Sequence, residues 1–250
     1  MHRIIFQFGS FTLYSYGLLV AAGFLLSTIL ILRDSEKFGM RSDSIFDCLI
    51  VILIGGLIGG RLLFVLINWE YYCRYPLRAL MFYEGGLAFQ GALAVAVLSG
   101  AVMSRIKKLS FWKASDLIAP YIALGQAVGR IGCYLNGCCY GRVIERGIGV
   151  TFPGETVMRI PTQTYSSLFL LMIFMVLIAL RKRRLFDGYL FTMYMILYAS
   201  FRFFMDFMRG DNLAVFLGIR ISQIISIGMF LCGIIVYIVL SRAKKRGNEN

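Results

Sequence analysis

Long uncharged stretches alternate with short basic ones along this chain, and the alternation predicts its elements. Residues 11–32, 85–104, 161–180 and 221–241 hold no Asp, Glu, Lys or Arg. Each reaches the ~20 apolar residues that cross a hydrocarbon core as a helix. Three further apolar segments are interrupted by charge. Segment 44–69 holds Asp47 and Arg61, 117–135 holds Arg130, and 188–208 holds Arg202 and Asp206. The pattern predicts an all-α, polytopic membrane protein of seven transmembrane helices, four clean and three charged. The first run exceeds the ~7–15-residue core of a signal peptide and has no small-residue cleavage site before Arg33, so it is expected to remain as a helix. The longest connection is 136–160, which leaves no separate soluble domain and makes residues 1–250 a single transmembrane domain.

Composition agrees: 59% of residues are apolar and 16% charged, against soluble averages of about half and a quarter. The net charge of +13 raises nucleic acid as a partner, and its distribution removes it. The connections after the first, third and fifth helices, with the C-terminal tail, hold fifteen Lys and Arg. The N-terminus and the other connections hold eight, and three lie inside helices. Basic loops stay in the cytoplasm, so the N-terminus is expected outside and the C-terminus inside.

Those three buried cations are the chemistry to explain, because an arginine at the centre of a bilayer helix costs about 2.5–3.5 kcal/mol or more. Arg130 lies in Gly129-Arg130-Ile131-Gly132-Cys133-Tyr134-Leu135-Asn136-Gly137-Cys138-Cys139-Tyr140-Gly141-Arg142. So many glycines beside Asn136 predict a helix that breaks at its outer end, with free amides and a guanidinium together forming an anion site. Arg202, Asp206 and Arg209 are spaced i, i+4, i+7 and share one helical face. Two cations against one anion leave a surplus that suits an anionic ligand. Arg61 ends a small-residue stretch, Gly55 to Gly60, built for close helix packing, and its side chain can snorkel outward.

Other polar residues admit two readings each. Tyr14 and Tyr16 are interfacial anchors or part of a site. Gln90, in Glu84-Gly85-Gly86-Leu87-Ala88-Phe89-Gln90, is a helix–helix hydrogen-bonding group or a site residue. Thr162, Gln163 and Tyr165, after Pro161, open a helix or face a ligand. Asp116 reads as an acid at its own helix's N-terminus. Of the six cysteines, Cys48 and Cys232 pack inside helices. Cys133, Cys138 and Cys139 lack a usual zinc spacing, so no metal and no cofactor are expected.

Together these segments resemble the phosphatidylglycerol:prolipoprotein diacylglyceryl transferase family, collinearly along nearly the whole chain. The resemblance rests on Tyr16-Gly17, Gly59-Gly60-Arg61, Glu84 to Phe89, Asp116 to Pro120, the Arg130 string, Arg159-Ile160-Pro161-Thr162-Gln163, and Arg202 with Asp206 and Arg209. The Arg130 string is the specific part. By that resemblance, the diacylglyceryl group of phosphatidylglycerol passes to the lipobox cysteine of a preprolipoprotein, forming a thioether and releasing glycerol 1-phosphate. The setting implied is the bacterial plasma membrane, with phosphatidylglycerol and the prolipoprotein signal peptide as partners. Arg130 would hold the lipid phosphate and Arg202 the charge on the leaving phosphate, with Arg209 nearby and Asp206 orienting the arginines. Tyr16, Gln90, Asn136, Gly141, Gln163 and Tyr165 would shape the lipid pocket. Three departures stand out: Gln90 where some members carry a histidine, Ser166 where a glutamate is common, and a short outer loop. They keep open a retargeted or silent paralogue that binds anionic phospholipid. A small organic-anion transporter is the remaining alternative, and the chain shows no internal repeat in its favour.

Overall fold

The computed structural model describes residues 4–8, 11–81, 85–152, 156–210, 214–216 and 219–249. Helices dominate it. They are α1 (Ser15–Ser35), α2 (Ser42–Ile67), the short α3 (Trp69–Arg74), α4 (Phe89–Ile106), α5 (Phe111–Asn136), α6 (Thr162–Leu180), α7 (Tyr189–Met208) and α8 (Ile221–Glu249). Five stretches, Ser15–Phe38, Ser42–Ile67, Phe89–Ile106, Thr162–Arg183 and Ile221–Arg246, are long and apolar enough to cross a membrane. Four of them carry the greater part of the four clean runs. The charged helices α5 and α7 have 26 and 20 residues, about 39 and 30 Å at the helical rise.

Not every connection is irregular. Among the described residues three two-stranded antiparallel sheets pair β1 (Ile4–Phe8) with β2 (Phe11–Tyr14), β3 (Val150–Thr151) with β4 (Met158–Arg159), and β5 (Ala214–Phe216) with β6 (Ile219–Arg220). The first helix therefore starts at Ser15 and not at residue 11, because Phe11–Tyr14 pairs with the strand before it. An apolar run cannot by itself distinguish strand from helix.

Two compact units divide the chain: Leu32–Ala114 forms one, and Met1–Ile31 with Ser115–Asn250 forms the other. In the first, α2 and α4 pack backbone to backbone. A Cβ on Gly59 would come within 2.5 Å of the Gly91 carbonyl oxygen, so neither position accepts a side chain. Asp47 of α2 pairs with Lys107, the residue that follows α4. Arg61 is 3% exposed and does not snorkel. It donates to the carbonyls of Ala79, Arg78, Gly85, Gly86 and Met81, under the rings of Phe64 and Tyr72. Its charge is solvated by peptide dipoles.

In the second unit α5 is the centre. Its Ala119 and Ala123 pack with Ile173 and Leu177 of α6 and Tyr194 of α7. Polar ties fix the register: Ser27 donates to the Tyr121 carbonyl at 2.9 Å, Ser167 to the Ala127 carbonyl at 2.9 Å, and Tyr194 to Gln126 at 3.0 Å. At one end Asp116, fully buried, accepts from the backbone N–H groups of Gly188 (2.8 Å) and Phe191 (3.0 Å). It caps the start of α7, not of its own helix, which begins at Phe111. That cap aligns α5 and α7 in parallel and delivers both of their C-termini to the opposite end.

Candidate active site

The end of α5 is built by one turn of chain. Gly137, with φ +68°, is in the left-handed conformation that glycine adopts without a Cβ clash. The N–H of Gly137 bonds the Tyr134 carbonyl at 3.1 Å, and that of Cys138 bonds the Cys133 carbonyl at 3.2 Å. These are the two bonds of a Schellman motif. The helix thus stays regular through Gly125, Gly129 and Gly132 and stops cleanly after Asn136. The expectation of free amides beside Arg130 is not met. A helix C-terminus presents carbonyls, not amides, and Arg130 lies in the last turns of the intact helix, so its guanidinium must supply the positive charge there.

Beyond the turn, the chain threads between the start of α6 and the end of α7. Gly141 N–H bonds the Ile160 carbonyl at 2.9 Å, Arg142 N–H the Met208 carbonyl at 2.9 Å, and Ile160 N–H the Arg142 carbonyl at 3.2 Å. A Cβ on Gly141 would sit 2.7 Å from the Met208 oxygen and 2.8 Å from the Ile160 Cβ. Gly141 is therefore the point at which three segments are locked together. Its contribution is room for the backbone.

The start of α6 closes onto the same loop. Thr162 Oγ1 donates to the Cys139 carbonyl at 2.9 Å and Gln163 Nε2 to the Cys138 carbonyl at 2.7 Å. Gln163 is 1% exposed, and its Oε1 is buried without a hydrogen-bond partner among the described residues. A buried acceptor left open costs about 1–3 kcal/mol, which makes this oxygen a natural acceptor for a ligand hydroxyl. Tyr165 is half-buried two residues further on. Ser166 is buried and bonds the Thr162 carbonyl at 2.6 Å, so it continues the helix wall.

The end of α7 brings the charges. Arg202 pairs with Asp206 at 3.1 Å, and that carboxylate is fully buried. Arg209 and Arg130 both lie within direct Coulombic reach of Arg202. Arg202 thus sits between the Asp206 carboxylate and two further guanidiniums near the ends of α5 and α7. Tyr16, on the first turn of α1, is 44% exposed. It abuts Gly132, where a Cβ would lie 3.4 Å from its Cα and ring, and is within Coulombic reach of Arg130. Asn136, half-buried, is the last residue of α5.

One unit therefore holds Arg130, Arg202, Arg209, Asp206, Tyr16, Asn136, Gly141, Gln163 and Tyr165. Gln90 belongs to the other unit, exposed on the first turn of α4, and Glu84 lies outside the described residues. The sequence assigns Arg159 no role of its own. Its guanidinium lies 4.5 Å over the Tyr140 ring, and only the loop's fold brings the two together.

A family model described as prolipoprotein diacylglyceryl transferase matches residues 3–239. Relatives named phosphatidylglycerol–prolipoprotein diacylglyceryl transferase, from Bacillus cereus (strain G9842) and Bacillus mycoides (strain KBAB4), are each 36% identical over 264 residues. The relative of that name from Bacillus anthracis (strain CDC 684 / NRRL 3495) is 35% identical. Each alignment covers 100% of this chain and 97% of the relative.

Proposed function

Because the chain belongs to the prolipoprotein diacylglyceryl transferase family, we propose that it moves the diacylglyceryl group of phosphatidylglycerol onto the lipobox cysteine of a prolipoprotein. The whole chain acts as one transferase domain in the bacterial plasma membrane. α5 and α7 join the five apolar stretches to give seven spans, N-terminus out and C-terminus in. The observation that carries the reading is Arg202, paired with Asp206 and neighboured by the guanidiniums of Arg130 and Arg209.

The chemistry assigns each group a task. The acceptor sulfur attacks the glyceryl carbon attached to phosphate oxygen; the C–S bond forms as the C–O bond breaks. The bonding pair goes to the phosphate, which changes from a diester monoanion toward a monoester dianion. Fixed guanidiniums stabilise that growing charge more than the ground state, which is how they lower the barrier. Arg130 holds the lipid phosphate. Arg202, with Arg209 behind it, meets the charge on the departing oxygen. Asp206 fixes the Arg202 fork in one direction, since a paired guanidinium presents its remaining donors in a defined plane. Gln163 Oε1 accepts from a hydroxyl of the glycerol headgroup. Tyr16, Asn136, Gly141 and Tyr165 shape the lipid pocket. Gln90 cannot take the thiol proton, so the released phosphomonoester is its destination, and the products then balance without a protein base.

The test is transfer by the purified protein in detergent from phosphatidylglycerol to a lipobox peptide, read by mass spectrometry. A thioether-linked diacylglyceryl peptide together with glycerol phosphate is expected, and both are lost in Arg130→Ala and Arg202→Ala variants that still insert. Normal turnover in either variant overturns the assignment. Lipid binding without either product favours the retargeted paralogue, the reading that Gln90 supports.

A further inference from the structure

The Schellman turn that ends α5 has a second consequence. By bonding Cys138 N–H to the Cys133 carbonyl, it folds the chain back on the helix's last turn. The Sγ atoms of Cys133, Cys138 and Cys139 then all lie within 4.8 Å of one another. All three are free thiols. Spacing along the sequence did not suggest this, because a C-x4-C-C string places thiols on one centre only if the turn reverses the chain between them.

We propose that these three thiols form a binding site for a soft, thiolate-seeking metal cation of the zinc or copper(I) class. Three observations carry it. First, with metal–sulfur bonds of about 2.3 Å, the sulfurs around one ion stand roughly 3.8 Å apart, so closing onto an ion needs shifts of an ångström or less. Second, Cys139 holds φ +62°, a left-handed conformation that costs a non-glycine residue of order 1–3 kcal/mol and persists where the surroundings enforce it. Its strain brings the third sulfur to the other two. Third, the loop carrying Cys138 and Cys139 is held from outside: Thr162 and Gln163 grip the carbonyls of Cys139 and Cys138. Such grips on ligand-bearing residues orient a metal's donors. Arg130 lies within Coulombic reach of Cys133 and Cys139, and its positive charge offsets the net negative charge of three thiolates on one ion.

The donor set selects the metal. Three sulfurs without histidine or carboxylate favour soft ions over magnesium, calcium or manganese. Three protein donors also leave a fourth position open on a tetrahedral ion. The site stands independently of the transferase reading, because its test reads metal binding.

The experiment uses the full chain in detergent, reduced with a phosphine and titrated with cadmium(II) as the probe. One equivalent per chain is expected, seen as thiolate-to-cadmium charge-transfer absorption and displaced by copper(I). Cys133→Ser and Cys139→Ser should each weaken binding more than about 100-fold, beyond the loss of a mere supporting partner. The Cys48→Ser/Cys73→Ser/Cys232→Ser triple variant should bind like the parent. Alkylation of the parent chain, mapped by mass spectrometry, avoids dependence on variants that fail to fold: cadmium should protect Cys133, Cys138 and Cys139 together. Absence of the absorption, or protection of other cysteines instead, overturns the proposal.

Discussion

Arg61 and Arg202 interrupt apolar helices in the same way, yet different groups meet their charges. Arg61 is enclosed by five backbone carbonyls from one loop, so it organises chain. Among the described residues Arg202 pairs with one carboxylate, that of Asp206, and neighbours other cations, so it has charge to spend on a ligand. Substitution should separate the two roles. Arg61→Met leaves several carbonyls without donors at about 1–3 kcal/mol each and is expected to collapse the yield of folded protein, measured by size-exclusion after extraction. Arg202→Lys keeps the charge but loses the planar fork. It should extract normally while transfer falls by about 10²-fold or more. Equal extraction of the two variants, or equal activity, would remove the distinction. Gln90→His is expected to be tolerated or to raise the transfer rate, since an imidazole can take a proton that the amide cannot; complete loss would show that the amide has its own role.

At the scale of elements, the site is a meeting of ends. α5 and α7 run parallel because Asp116 of one caps the start of the other, and α6 starts where they finish. Charge pattern and hydrophobic runs made most of this readable in the sequence. The i, i+4 spacing put Arg202 and Asp206 on one face, whereas Arg209 follows the helix in extended backbone and not on that face's next turn; the polar start of α6 was visible after Pro161. Other features were not readable, the Asp116 cap on a different helix among them. The end of α5 looked like a source of free amides because glycines mark breaks without saying which way the freed groups point. The β1–β2 pairing ahead of α1 was hidden because an uncharged run carries no mark of strand or helix. The geometry gives the glycines distinct consequences. Gly141→Ala would force a Cβ to within 2.7 Å of the Met208 oxygen, an overpacking worth about 1–3 kcal/mol. It should lower thermal stability and cut transfer, because the ends of α6 and α7 separate. Gly228→Ala, with nothing within 4 Å of its Cβ, should do neither. Similar melting temperatures for both variants would show that the loop yields without disturbing the helices it ties.

For the whole molecule, orientation decides whether this site can do its work. The ends that carry Arg130, Arg202 and Gln163 are joined by connections poor in Lys and Arg, whereas 181–184 and the C-terminal tail are rich in them. If basic loops remain in the cytoplasm, the cation cluster faces outward, toward the side on which a lipobox cysteine emerges from its translocated precursor. The loop between α5 and α6 should then be external, and the basic turn after α6 internal. Alkaline phosphatase fused after Arg146 is expected to be active and the same enzyme fused after Lys182 inactive, with green fluorescent protein giving the reverse pattern. The same pattern should hold when Arg181 to Arg184 are changed singly to Gln, because fifteen basic residues share the bias. Active phosphatase at both positions, or only after Lys182, would place the cluster on the wrong side of the membrane for its acceptor.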